Sequence, residues 1–124
     1  MLAAKYRFHG YGALKYLFGH GKTWRFKSVS LRVAPNPRRA NSRIAVVISK
    51  KVIKAAPKRN RVRRRVYELL RIHWPHIKPS HDVVLTVYDP GVLDAPHDQL
   101  EAEIIDALQR SHLWTETKST KTQD

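Results

Sequence analysis

The sequence predicts a single α+β domain built as a two-layer sandwich, in which three helices pack on a small mixed sheet of four strands. Three observations favour this class. The 124 residues suffice for one domain, and 42% of them are apolar, which supports a modest core. The hydrophobic period also changes along the chain between two residues and 3.6 residues. The predicted order of elements is α-β-β-(β)-α-β-α, where the bracketed strand is optional.

The first half of the chain predicts one helix and two strands. Residues 13–18 carry apolar side chains at helical spacing and predict a short amphipathic helix. Residues 24–33 and 43–51 alternate between apolar and polar side chains, which predicts two strands. We expect these strands to pair as a hairpin, and an additional short strand fits near Lys22 or Lys78.

The second half predicts a helix, a strand and a final helix. Residues 57–73 have helical periodicity and should end before Pro75, with a cationic stripe opposite the core stripe Val62, Val66, Leu69 and His73. Residues 82–88 are apolar on both faces, as a central strand would be. Residues 95–112 predict a helix with an acidic outer face, which should point away from a polyanion.

We expect one folded, RNA-binding domain over residues 1–114 and a frayed tail over residues 115–124. The tail has no apolar side chain that could hold it to the domain. The first five residues should also be loosely held.

Composition excludes several classes of protein. The longest apolar run, Ile44 to Ile48, is far too short to span a bilayer, and the N-terminal residues lack the apolar core of a signal peptide. The chain has no cysteine, so it can form neither a disulfide nor a thiolate zinc site. We therefore expect a cytoplasmic protein with no membrane partner and no small-molecule ligand.

The charge is concentrated in one half of the chain. Residues 1–67 contain 19 Lys and Arg and no Asp or Glu, while the whole chain has a net charge of +14. Such a density of cations repels itself unless a polyanion lies nearby, and a phosphate backbone is the partner that best neutralises it. This distribution favours a nucleic-acid-binding protein.

The densest segment is residues 49–71, with ten Lys and Arg and one acid. Cations on a rigid helix hold phosphates at fixed spacing, and the exposed N-terminal turn of the helix would add backbone N–H donors. Two alternatives are a solvated charged face and a membrane-surface helix, although the latter needs the same apolar stripe that the core needs. The aromatic residues of the basic half suit either base stacking or the core.

The sequence contains no recognisable catalytic motif. His73, His76 and His81 lack a cysteine or a carboxylate cluster that would complete a metal site, and we expect no cofactor bound by the protein. The glycines fit neither a dinucleotide-binding nor a phosphate-loop pattern. A protein nuclease that acts alone is disfavoured because the basic half has no acid to bind a metal.

One motif is specific. The run Ser49-Lys50-Lys51, followed by Ala55 and by Arg59-Asn60-Arg61 with Arg63-Arg64, resembles the signature of the protein component of bacterial ribonuclease P. The flanking segments LKYLFGHG at 14–21 and VVLTVYDPG at 83–91 are similar to parts of the same family. Ile53 departs from the pattern, since the family commonly has glycine there.

The resemblance implies an accessory subunit of an RNA enzyme. In that family the RNA subunit uses Mg²⁺ to remove the 5′ leader of precursor tRNA, and the protein contacts both the RNA subunit and the leader. A left-handed βαβ crossover is also implied. The leader cleft would include Leu14, Phe18 and Arg32. The charge pattern and the resemblance together assign RNA binding to Lys50, Lys51, Lys54, Lys58, Arg59, Asn60, Arg61, Arg63, Arg64 and Arg65. A ribosomal or RNA-assembly protein without an associated activity is the alternative.

Overall fold

A computed structural model describes residues 2–7, 16–17 and 19–115, and it confirms the α+β class with a mixed four-stranded sheet. The predicted first helix is seen in part, since residues 16, 17, 19 and 20 are helical and the remainder lies outside the described residues. The other elements are β1 (Lys22–Arg25), β2 (Val29–Pro35), β3 (Arg43–Ile48), α1 (Ala56–His73), β4 (His81–Val87) and α2 (His97–Arg110).

The strands lie in the order β1-β2-β4-β3. β4 pairs antiparallel with β2 and parallel with β3, so the predicted β2–β3 hairpin is wrong. β4 takes the central position because its side chains are buried on both faces of the sheet, as its sequence predicts. The seven residues between β2 and β3 are longer than a usual hairpin loop and connect strands on either side of β4. The handedness of the β3-α1-β4 crossover stays a prediction.

The strand predicted over residues 24–33 is two strands. The N–H of Phe26 donates to the carbonyl of Val29 at 2.9 Å and closes a tight turn, so that β1 pairs antiparallel with β2. β1 is therefore the optional short strand, at Lys22. Alternation alone does not reveal this turn, because the turn carries no proline or glycine.

The main core lies between one face of the sheet and the two helices. Alternate residues of β2, β3 and β4 point into it, including Leu31, Val46 and Leu85. α1 contributes the predicted stripe of Val62, Val66 and Leu69, and α2 contributes Leu100, Ile104 and Leu108. His73 is half-buried, and its Nε2 lies 2.7 Å from Oε2 of Glu101, which joins α1 to α2.

α1 ends at His73 as predicted, but not for the expected reason. Trp74, the residue before Pro75, keeps a helical conformation with φ −55° and ψ −36°, and Trp74–His76 continues as a single 3-10 turn. The proline therefore tightens the end of the helix and does not force its neighbour into extended backbone.

Both ends of the described chain are more firmly held than their polarity predicts. Leu2 is buried, Ala4–Tyr6 forms a 3-10 turn, and the ring of Tyr6 packs on Trp74. At the other end, Thr115 exchanges hydrogen bonds with His76, through its N–H at 2.7 Å and its carbonyl at 2.8 Å. The expectation of a loose N-terminus is thus wrong for residues 2–5, and residues 116–124 lie outside the described residues.

Candidate nucleic-acid interface

The outer face of α1, formed by Arg61 and Arg64, is a cationic surface turned away from the core, and Lys58 is exposed beside it in the first turn of the helix. All three side chains are exposed, and within the described ranges none makes a hydrogen bond or an ion pair. The first turn of α1 has no acidic residue either. These three cations are consequently available to phosphates.

The basic loop, residues 49–55, lies directly before α1 and carries exposed Lys50, Lys51 and Lys54. The loop is held from both ends. The N–H groups of residues 52 and 53 donate to the carbonyl of Ser49 at 3.1 Å, and the guanidinium of Arg59 donates to the carbonyls of residues 53 and 54 at 2.9 Å. The three ammonium groups therefore start from a fixed backbone.

The structure explains why position 53 holds isoleucine and not the glycine that is common in the family. Its side chain is only 5% exposed and belongs to the main core. The apolar side chain fastens the middle of the basic loop to the domain, which adds about 1.5 to 3 kcal/mol of burial that glycine would not supply.

Asn60 and Arg63 form a pair on the flank of α1 that faces β3. The guanidinium of Arg63 donates to Oδ1 of Asn60 at 2.7 Å, and its Nε lies 3.4 Å from the carbonyl of Val46. The N–H of Val46 donates to the hydroxyl of Tyr67 at 3.1 Å. The helix thus covers the outer edge of β3, and the pair couples the basic motif to the sheet.

Arg65 points to the opposite flank of α1. Its guanidinium donates to three backbone carbonyls, those of Val92 at 3.1 Å, Leu93 at 3.2 Å and Ala95 at 2.6 Å. These carbonyls belong to the connection between β4 and α2. The structure therefore brings Arg65 away from the outer face of α1, where sequence reasoning grouped it with the RNA-binding residues.

The N-terminus of α1 offers fewer donors than expected. The N–H groups of Lys58 and Arg59 both donate to the carbonyl of Ala55 at 3.1 Å, and Pro57 has no N–H. Ala55 gives no side-chain cap. Phosphate binding at this end of the helix rests on its side chains.

Sequence reasoning missed the contribution of Arg7. Arg7 forms an isolated parallel bridge with Ile44, and its guanidinium lies 5.7 Å from the ring centre of Tyr67. This cation therefore borders the β3 flank of α1. The charge of the segment was the available signal, but its attachment to β3 is a long-range contact that no local pattern predicts.

The second face of the sheet, called the cleft here, has a floor of mainly small or short side chains. Leu17 packs against this floor, and the guanidinium of Arg32 donates to the carbonyl of Gly21 at 3.3 Å. The strand registers place on this face Ser30, Arg32, Ala34, Arg43, Ala45, Val47, Asp82, Val84 and Thr86. Of the three residues assigned to the leader cleft, Arg32 is on this face, while Leu14 and Phe18 lie outside the described residues.

Gly21 lies where Leu17 and Arg32 approach each other closely. A Cβ atom at Gly21 would lie 2.7 Å from Cγ of Arg32 and 2.8 Å from the carbonyl oxygen of Leu17. Both distances are shorter than van der Waals contact, so only glycine lets the helical segment approach β2 this closely.

Acidic residues lie mainly on and around α2. Asp106 is exposed and pairs with Arg110 at 3.4 Å, while Glu101 and Glu103 are partly buried. On α1, hydrogen bonds from Arg71 lower the pKa of Glu68 to about 2.

Among residues 2–7, 16–17 and 19–115, no three His, Cys, Asp or Glu side chains are grouped to hold a metal ion.

No helix within the described part of the chain is long and apolar enough to cross a membrane.

The comparisons with known proteins agree on one family. Residues 2–112 match the family model described as Ribonuclease P. The chain is 40% identical over 91 residues to the ribonuclease P protein component of Roseiflexus sp. strain RS-1, covering 73% of each protein. It is 39% identical to that of Chloroflexus aurantiacus, covering 75% of this chain and 67% of the relative. The fold is similar to the Staphylococcus aureus RNase P protein, with a TM-score of 0.79, 18% identity, and coverage of 89% of this chain and 98% of that one.

Proposed function

The chain belongs to the ribonuclease P protein family, and from that premise we propose that it assists removal of the 5′ leader from precursor tRNA by binding both the RNA subunit and the leader. Family membership makes the RNA subunit of ribonuclease P its partner. The observation that carries the proposal is the cationic surface formed by the outer face of α1 and the basic loop. Nothing favours the alternative of a ribosomal or RNA-assembly protein.

We assign the contacts with the RNA subunit first to the exposed cations that no other described residue binds. Six cations point outwards with no partner among the described residues, and they are Lys50, Lys51, Lys54, Lys58, Arg61 and Arg64. Arg59 holds the basic loop, and Asn60 with Arg63 joins α1 to β3, so in this proposal these three residues position the surface. Arg65 supports α1 from the other flank and does not contact RNA in this proposal.

Magnesium belongs to the RNA subunit in this account. The basic surface does not fit a metal site, because residues 1–67 include no carboxylate and oxygen ligands are what Mg²⁺ requires. The protein contributes fixed positive charge, which lowers repulsion between RNA segments that free ions would otherwise have to screen. The protein is therefore an accessory, non-catalytic subunit, and it works in the cytoplasm.

The cleft is assigned to the single-stranded leader. Its small floor residues leave room for an extended strand, and Arg32 supplies a cation at one side. Leu14 and Phe18 keep their roles from the resemblance, with Phe18 the candidate for stacking on a base.

Reconstitution tests the proposal. We expect cleavage of precursor tRNA by a bacterial ribonuclease P RNA to need less Mg²⁺ when this protein is added, and no specific cleavage by the protein alone. The measurement is a Mg²⁺ titration of cleavage rate with and without protein, with micrococcal nuclease treatment to remove contaminating RNA. Specific cleavage by RNA-free protein would contradict the proposal, as would an unchanged Mg²⁺ midpoint.

A further inference from the structure

The edge of the sheet farthest from α1 carries a second set of cations. β1 is an edge strand, and Lys22, Thr23 and Arg25 are exposed on it. The C-terminal end of α2 lies beside this strand and adds the cation Arg110 and the ring of His112. Neither the ribonuclease P motif nor the cleft includes these residues.

The cations of this region rest on aromatic rings. Nζ of Lys22 lies 4.6 Å from the ring centre of Trp24, and the guanidinium of Arg25 lies 5.9 Å from that of Tyr88. The ring of His112 meets Trp24 edge-on at 5.2 Å. A ring holds an exposed cation by only about 0.5 to 1 kcal/mol and satisfies none of its N–H donors. Such cations can therefore leave the ring and bind a phosphate with little loss of free energy.

The strand register connects this region to the cleft. Thr23 lies opposite Arg32 and Arg25 lies opposite Ser30, so both β1 side chains share the face of the sheet that forms the cleft. Lys22 and Trp24 point to the other face. The β1 edge, defined here as Lys22, Trp24, Arg25, Arg110 and His112, therefore continues the cleft around the end of the sheet.

Charge varies along this strand. At its far turn, Lys27 shares the lining of a cavity of about 260 Å³ with Asp89, Asp94 and Glu103. Arg110 also has an acidic neighbour, Asp106, at 3.4 Å, but both side chains remain more than half exposed. A polyanion is thus repelled at the turn and attracted towards Lys22 and Arg25.

We propose that the β1 edge binds the distal part of the 5′ leader, the nucleotides that extend beyond the cleft. Lys22 and Arg25 bind its phosphates, and Trp24 with His112 offers an aromatic surface to a base. The inference rests on the proposed function, because it requires the cleft to hold the leader. It adds a dependence on leader length that the cleft alone does not give.

Leader length tests the inference. Holoenzyme is assembled with the wild-type protein or with the double variant Lys22→Ala/Arg25→Ala, and Kd is measured against salt. The substrates are mature tRNA and precursor tRNA with a leader of about 4 or about 16 nucleotides, which bracket the lengths that one single-strand-binding domain occupies. Lys27→Ala is the control, and its effect is compared per charge, since it removes one positive charge next to the acidic cavity while the double variant removes two.

We expect the double variant to weaken binding of the long leader only and to reduce its salt slope by about 1.4, or 0.7 for each lost single-strand contact. Equal weakening for both leaders, or no weakening for either, would overturn the inference. An equal effect of Lys27→Ala would also overturn it. Failure of the proposed function is distinguishable, because wild-type holoenzyme would then bind short-leader precursor no better than mature tRNA. Melting temperatures of the variants confirm that each is folded.

Discussion

Arg64 and Arg65 are adjacent in the chain, and α1 directs them to different surroundings. Arg64 is exposed and has no hydrogen-bond or ion-pair partner in the described part of the chain, whereas Arg65 donates to three backbone carbonyls. Both lie in the same basic run and carry the same charge. The comparison shows that the rotation of the helix, about 100° per residue, decides which cation binds the fold and which stays exposed.

The same division, between cations that bind groups of the fold and cations that stay exposed, extends beyond α1. Arg43 lies on the cleft face of β3 but is largely covered there, so we group it with the inward cations, and it holds the carboxylate of Asp82 through two hydrogen bonds at 3.0 Å. Asn36 donates to the same carboxylate at 2.9 Å. Lys50, Lys51 and Lys54 are turned outwards on a fixed loop. Inward cations should therefore control stability, and outward cations should control RNA binding.

The largest expected effect comes from removing the carboxylate that the inward group surrounds. Asp82→Ala removes the carboxylate that both Arg43 and Asn36 bind, so the free energy of unfolding should fall by about 3 kcal/mol, the lower end of the range for breaking a buried pair. Urea denaturation measures this. The control is Asp106→Ala, whose pair with Arg110 is exposed and worth less than about 1 kcal/mol. Equal losses in the two variants would contradict the division.

Arg65→Ala should have the next largest effect. The change leaves three carbonyls without their donor, and hydrogen bonds to a charged group contribute about 1.5 to 3 kcal/mol, so we expect a loss of about 2 kcal/mol in unfolding free energy. Arg64→Ala, its neighbour, should stay within about 0.5 kcal/mol of the wild type. Thermal and urea unfolding of the two variants side by side measures the difference, and a larger loss for Arg64→Ala would contradict the division between inward and outward cations.

Acid should weaken the inward group specifically. Burial raises the pKa of Asp82, but the hydrogen bonds from Arg43 and Asn36 outweigh burial, and the net pKa lies below its ordinary value. A carboxyl with a lowered pKa stabilises the fold above the ordinary pKa of Asp, about 3.9, and this stability is lost as the pH falls through the lower, folded pKa.

The unfolding free energy of the wild type should therefore fall more steeply below about pH 4 than that of Asp82→Asn, which has no carboxyl to protonate at this position. The pKa of Glu68 is also lowered, but Glu68 is present in both proteins and its contribution cancels. Parallel pH curves for the two proteins would show that the Asp82 pair is not the source of the acid sensitivity.

Sequence patterns predicted the parts of this protein that local periodicity determines. The core stripe of α1, the central position of β4 and the cationic outer face of α1 all follow from side chains that repeat at a fixed spacing. The motif at residues 49–64 located the basic loop and the helix that follows it. These features depend on neighbours within one or two turns of the chain.

Long-range contacts account for the errors. The insertion of β4 between β2 and β3 joins residues separated by the whole of α1, and no alternation in either strand distinguishes it from a hairpin. The role of Arg65 depends on carbonyls 27 or more residues away. The attachment of residues 2–7 depends on Trp74 and Ile44. In each case tertiary packing determines a long-range contact that the local sequence does not specify.

The most direct test of the division between inward and outward cations is the salt dependence of binding to ribonuclease P RNA, measured for the wild type, Arg64→Ala and Arg65→Ala well below their melting temperatures. Both substitutions remove one positive charge, so net charge alone cannot separate them. The account predicts that Arg64→Ala reduces the slope of log K against log salt by about 0.9 and that Arg65→Ala leaves it unchanged. The same reduction in both variants, or a reduction in Arg65→Ala alone, would contradict it.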